Sequence, residues 1–163
     1  MNSFEILVNE LINKGLKVSA AESCTGGLFA SGIVSVPDAS KVLAASFVTY
    51  SDEAKCKLVG VNKKTIDEFT VVSENVAVEM AKGAAENGFA EAGVGITGYA
   101  GPASDENDTL VGTVCFGFYV NGKTVSSTKH FGNIGRNAVR ELSAIYAADT
   151  LLRLVKLYGN KNN

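Results

Sequence analysis

The chain has 163 residues, 46% of them hydrophobic, which suits one domain with a substantial core and is too short for two. Its formal net charge is −2, with Lys and Arg scattered along the chain, so it carries no electrostatic footprint for nucleic acid. No apolar run approaches the roughly 20 residues that cross a bilayer, and Cys24, Cys56 and Cys115 are too widely spaced for a disulfide framework or a CxxC metal site. The N-terminus, with Glu5 and Glu10, lacks a basic segment and a cleavage signal, which predicts a cytoplasmic protein.

In chain order, Phe4, Leu7, Val8, Leu11 and Ile12 form a helical stripe that Gly15 closes. Leu16, Val18 and Ala20 then alternate with polar residues as a half-buried strand does. The strand runs into Ala21-Glu22-Ser23-Cys24-Thr25-Gly26-Gly27, after which Leu28, Phe29, Gly32 and Ile33 recur at helical spacing. This is a strand-to-helix corner. The unpaired N–H groups of a helix start would suit an anion or a developing oxyanion beside Ser23, and Gly26 and Gly27 present no Cβ to an approaching ligand. The apolar run 42–49 predicts a strand buried on both faces that delivers Tyr50 to its end. Ser51 caps a helix with Asp52 and Glu53 in its first turn and Lys55 one turn in.

Ser73, followed by Glu74, opens a helix with Val76, Met80 and Ala84 on one face, ending near Asn87-Gly88. A short strand over 92–97 leads to a second glycine-bearing corner, Gly98-Tyr99-Ala100-Gly101-Pro102, and then to a polar, acidic segment over 103–109. Two β-rich runs, 111–120 and 123–131, flank Asn121-Gly122, which predicts a hairpin with a type I′ turn. The last helix starts near Asn137 and is expected to bury Leu142, Ile145, Ala148, Leu152 and Val155, with 158–163 a frayed tail. Helices alternating with apolar strands, plus one antiparallel hairpin, predict a single α/β domain over 1–163. Its architecture would be three layers, α/β/α, around a mixed sheet.

The one histidine, His130, alternates along a hairpin strand, so neither a His-based metal site nor a Ser-His-Asp triad has support. The acidic run Asp105-Glu106-Asn107-Asp108 lacks the glycine and the distal glutamate of a calcium loop and reads as solvated. No metal and no cofactor are expected. A serine nucleophile then needs another base, and a lysine serves if desolvation lowers its pKa. Lys55 is that candidate, paired with Ser23 or, four residues away on its own helix, with Ser51, which is better explained as a cap. Cys24 is a rival nucleophile that also fits a small buried residue. Taken alone, Lys55 also fits a surface helix lysine.

Four motifs occur in a telling order. They are AESCTGG at 21–27; TYSDEAK at 49–55 with LVGV at 58–61; VSENVAVEMAKGA from Val72; and GITGYAGP at 95–102 with VGTVCFGF from Val111. Together they resemble the CinA C-terminal domain family over nearly the whole chain, from about Leu7 to Leu152. That resemblance implies an α/β domain found fused to an N-terminal molybdopterin-binding-like domain or, as expected here, standing alone. Stand-alone members are PncC-type nicotinamide-nucleotide amidohydrolases, which convert nicotinamide mononucleotide to nicotinate mononucleotide and ammonia without a metal. Carried over by motif, Ser23 would be the nucleophile, and Lys55, with Tyr50 nearby, would take and return its proton. Thr25, Gly26 and Gly27 would donate around the acyl site, Thr97 and Gly98 would close the opposite wall, and Arg136 and Arg140 would meet a phosphate.

The implied partner is a small-molecule nucleotide, with no nucleic acid and no membrane, and a homo-oligomer is left open. The chain departs from the family where ASDEND replaces a glycine-rich loop at 103–108 and Thr109-Leu110 replaces a proline, which bears on substrate choice more than on chemistry. The alternative that the family implies is a non-catalytic nucleotide-binding module with a role in competence or damage response.

Overall fold

The computed structural model describes residues 1–160. Asn2 caps α1 (Ser3–Lys14) through a reciprocal box with Glu5, and Gly15 ends it in the left-handed region that a side chain resists. Strand β1 (Val18–Glu22) follows, then α2 (Leu28–Val34), a 3₁₀ turn at Ala39–Lys41, and β2 (Leu43–Val48). Three helices come next: α3 (Asp52–Val59), α4 (Lys63–Phe69) and α5 (Glu74–Gly88). The chain closes with β3 (Ala92–Gly98), β4 (Thr113–Val120), β5 (Lys123–His130) and α6 (Arg136–Tyr158). The caps read from sequence are present, since Ser51 Oγ accepts from Ala54 N–H and Ser73 Oγ from Val76 N–H. Asn121 and Gly122 both take positive φ, as the type I′ turn requires.

The five strands lie in the order β2-β1-β3-β4-β5. β1 pairs in parallel with β2 and β3, and the hairpin adds β4 and β5 antiparallel, so the sheet is mixed. Helices α1, α2 and α6 share one core with one face of the sheet, while α3, α4 and α5 form a second core on the other. This is the three-layer α/β/α architecture. Helix α5 sits unusually close to the sheet, because a Cβ on Gly95 would lie 2.2 Å, and one on Gly117 2.1 Å, from the Ala77 carbonyl oxygen.

Two strand expectations exchange places. β1, expected half-buried, is buried along its whole length because it is the central strand of the parallel set. Its polar Ser19 is tolerated where Gly88 of α5 passes over it without a side chain. β2, expected buried on both faces, is an edge strand with alternating exposure, and Val48 is left 51% exposed. The last helix is also turned relative to expectation. Its packing face is made of Val139, Ser143, Ala144, Ala147, Ala148, Leu151 and Val155, while Leu142 and Ile145 point outward and Leu152 is half-buried. Small residues let α6 approach α1 and the sheet, and the large side chains that dominate the sequence pattern do not mark that face. The tail is ordered further than expected: Tyr158 is helical, Gly159 is buried, and Lys14 Nζ donates to Asn160 Oδ1 at 2.6 Å. Residues 161–163 of that expected tail lie outside the described residues.

The crossover from β1 to β2 runs through α2 on one face, and the crossover from β2 to β3 runs through α3–α5 on the other. The C-terminal end of β1 is therefore the point where strand order reverses, the crevice where open α/β sheets bind ligands. Val48, Glu22 and Ile96 stand level there.

Candidate active site

The corner after β1 is held from inside. Glu22 is fully buried, and its carboxylate accepts from the N–H groups of Gly27 and Phe29 at 3.1 Å each and of Ala30 at 3.0 Å. The donors at the start of α2, expected to face an anion beside Ser23, are thus occupied by the protein's own carboxylate, which also answers the helix dipole. Gly26 and Gly27 take positive φ and make the reversal possible. Arg140 clamps the corner from α6, donating from Nε to the Cys24 carbonyl at 2.9 Å and from Nη2 to the Thr25 carbonyl at 3.2 Å. Ser23 N–H is fixed by the Ile96 carbonyl of β3 at 2.9 Å. Sequence reasoning missed Glu22. The available signal was an acidic residue ending an apolar strand directly ahead of a helix start.

Lys55 is 1% exposed, although a lysine in the first turn of a helix ordinarily reaches solvent. Its place follows from chain geometry, because β2 ends at Val48, Ser51 caps α3, and the next residue along that face turns back over the end of β1. Its Nζ lies 3.2 Å from Ser23 Oγ and 2.9 Å from the Thr49 carbonyl oxygen. Of the two pairings read from sequence, the geometry makes Ser23–Lys55, while Ser51 keeps its capping role. Burial lowers the Lys55 pKa, opposed by the negative charge of Asp52 and by Cys24 and Cys56. The Cys24 thiol lies beside the pair but is pushed up to about 11, by burial first, with Glu22 adding in the same direction. A thiol so shifted ionises less readily than a free one, which weighs against Cys24 as the nucleophile.

A pocket of about 260 Å³ opens over the pair. Ser23, Cys24, Asp52 and Lys55 line one side, and Thr97, Gly98 and Tyr99 another. Thr97 is itself held by donating from Oγ1 to the Val71 carbonyl at 3.0 Å. Arg136 reaches the rim, donating to the Gly101 carbonyl at 2.6 Å and to the Tyr50 hydroxyl at 3.0 Å. Tyr50 therefore lines the pocket but bonds to Arg136 and not to the Ser23–Lys55 pair. Thr25, Gly26, Gly27 and Arg140 build the corner instead of lining the pocket, and nothing in the structure explains why the buried Thr25 hydroxyl has no partner.

The acidic loop after Pro102 is folded on itself. Asp105 accepts from Ser104 Oγ, Thr109 Oγ1 and Leu110 N–H, which holds its carboxyl well below the usual range, Ser104 first. Only Ala103 of this loop borders the pocket, and Glu106 and Asp108 face solvent. His130 sits at the end of β5, exposed, against Thr113 Oγ1 at 3.1 Å. Among the described residues no three His, Cys, Asp or Glu side chains gather as metal ligands, and no helix is long and apolar enough to cross a membrane.

Fold and pocket together define a three-layer α/β domain with a pocket at the switch point of a mixed sheet. The family model described as the CinA C-terminal domain matches residues 2–155, and the chain belongs to that family. A CinA-like protein of Kosmotoga olearia is 46% identical over 149 residues, covering 91% of this chain and 36% of its own length. Protein YdeJ of Escherichia coli K12 is 38% identical, covering 94% of this chain and 89% of its own. The chain thus spans about a third of several curated relatives, among them putative competence-damage inducible proteins of clostridia at 36–37% of their length. Among solved structures, a CinA superfamily protein from E. coli superposes with a TM-score of 0.89 at 38% identity, covering 93% of this chain and 88% of that one. The competence/damage inducible protein CihA from Agrobacterium tumefaciens gives 0.86 at 34% identity, covering 94% and 96%.

Proposed function

We propose that the domain is an amidohydrolase that deamidates nicotinamide mononucleotide to nicotinate mononucleotide and ammonia. The observation that carries this reading is the buried Lys55 ammonium nitrogen 3.2 Å from Ser23 Oγ, inside a pocket and with its charged form disfavoured by burial. Neutral Lys55 takes the Ser23 hydroxyl proton as Oγ bonds to the carboxamide carbon. The lysine ammonium formed in that step is the positive charge nearest the developing oxyanion. It then gives its proton to the amide nitrogen, the C–N bond breaks, and ammonia leaves an acyl ester on Ser23. Water attacks the ester as Lys55 takes the water's proton, and Lys55 passes that proton to Ser23 Oγ as the Ser23–acyl bond breaks, returning the hydroxyl and releasing the acid. Thr97 and Gly98 form the facing wall. Arg136, at the rim, is the cation for the phosphate, while Arg140 acts on the substrate only through the corner it clamps.

A second reading is a nucleotide-binding module without turnover; the relatives' names, putative competence-damage inducible proteins, carry only the association with competence or damage. Ammonia release from nicotinamide mononucleotide, measured beside calorimetric binding of the same compound, separates the two. Release that disappears in Ser23→Ala supports the hydrolase. Binding without release supports the module, and neither binding nor release overturns both.

A further inference from the structure

Three charged side chains line the pocket: Asp52, Lys55 and Arg136. Lys55 is the proposed base, its charged form disfavoured by burial, and Arg136 is tied to Gly101 and Tyr50 at the rim. Asp52, one helical turn before Lys55, lines the pocket from the solvent-exposed side and is in ion-pair contact with no lysine or arginine among the described residues. Its neighbour Glu53, in the same first turn and likewise exposed, pairs with Lys57. Both residues answer the helix dipole, but only Asp52 lines the pocket.

For a neutral amide substrate this carboxylate would be a hindrance. It opposes charge development on the carbonyl oxygen, and it works against the burial that lowers the Lys55 pKa. A ligand that brings its own positive charge beside the amide reverses that balance. Resting on the nucleotide reading above, we infer that Asp52 is the counter-ion of a substrate whose amide is carried on an N-substituted pyridinium ring, and that it determines preference for the charged ring. The ring nitrogen of such a substrate holds a fixed positive charge a few bonds from the carboxamide. Hydrolysis replaces the neutral amide by a carboxylate, so the same Asp52 repels the product at the atom that has just reacted.

The test uses Ser23→Ala protein, which binds without turnover, and two ligands of the same size. One is nicotinamide mononucleotide; the other is its 1,4-dihydro form, which has the same carboxamide, ribose and phosphate but an uncharged ring. At low salt the parent is expected to bind the charged ring about tenfold more tightly, and the preference shrinks in half-molar salt. Adding Asp52→Asn should bring the ratio close to one while both ligands still bind. A ratio that Asp52→Asn leaves unchanged, or a parent with no preference or one insensitive to salt, overturns the inference and leaves the nucleotide reading standing. If the parent binds neither form, the nucleotide reading fails and this inference fails with it.

Discussion

The corner at 22–27 and the loop at 103–110 are built on the same device and behave as opposites. Each is organised by one carboxylate that accepts three hydrogen bonds: Glu22 from Gly27, Phe29 and Ala30, and Asp105 from Ser104, Thr109 and Leu110. Glu22 is fully buried at the switch point of the sheet and sets where Ser23 stands, whereas Asp105 bonds only within its own loop. The number of bonds does not measure what a carboxylate does. A buried acceptor has no water to replace lost partners, so its loss costs about 1–3 kcal/mol, while an exposed one exchanges partners at little cost. On the hydrolase reading, function therefore rests on the buried supports of the corner and not on the acidic loop, although both border one pocket.

The largest expected effect lies at the corner's partner. Lys55→Arg keeps the charge but stays protonated, so ammonia release should fall between about a hundredfold and ten-thousandfold. In the wild type, the neutral base grows with pH, so kcat/KM should climb as pH passes the lowered Lys55 pKa and level off above it. The stability sign agrees. The unfolded chain binds the extra proton between the lowered folded value and the ordinary 10.5, so stability rises with pH across that interval and Lys55→Met should flatten the rise in urea unfolding. An active Lys55→Arg protein would dissolve the contrast, because charge alone would then suffice at the site.

Glu22→Gln comes next. The amide has one acceptor oxygen and sets two donors among the N–H groups of the α2 start, so unfolding in urea should show a loss of about 1–3 kcal/mol. Asp105→Asn, the matching change in the loop, should stay within about 0.5 kcal/mol of wild type. Equal losses at the two positions would erase the distinction between them. The smallest expected effect is from Asp105→Asn, Glu106→Gln and Asp108→Asn together. The Michaelis constant for nicotinamide mononucleotide should match the wild type at low and at high salt, and a salt-sensitive difference would bring the loop to the phosphate.

Much of this was legible in the sequence because it depends on local chemistry. The caps at Ser51 and Ser73, the Asn121-Gly122 turn, the layer order and the corner at Ser23 all follow from neighbouring residues, and the structure has them. What was not legible depends on strand order and on contacts far apart in the chain. Burial of β1 and exposure of β2 are set by which strand lies at the edge, and no pattern within 43–48 says that. Lys55 was legible as a candidate base, but its burial and the choice of Ser23 over Ser51 needed β1 laid beside β2, which brings Ser23 to it across 32 positions. Arg140 reads as a phosphate ligand until the corner carbonyls of Cys24 and Thr25 are found within its reach.

Attack of Ser23 on the amide carbon with Lys55 as base predicts an acyl ester on Ser23 that another nucleophile can intercept. Turnover of nicotinamide mononucleotide in the presence of hydroxylamine is the direct measurement. Wild type and Cys24→Ser should both release ammonia and divert part of the acid product to the hydroxamate, and Ser23→Ala should yield neither. Ammonia release accompanied by the acid alone, or hydroxamate formation that is lost with Cys24→Ser and kept with Ser23→Ala, would contradict it.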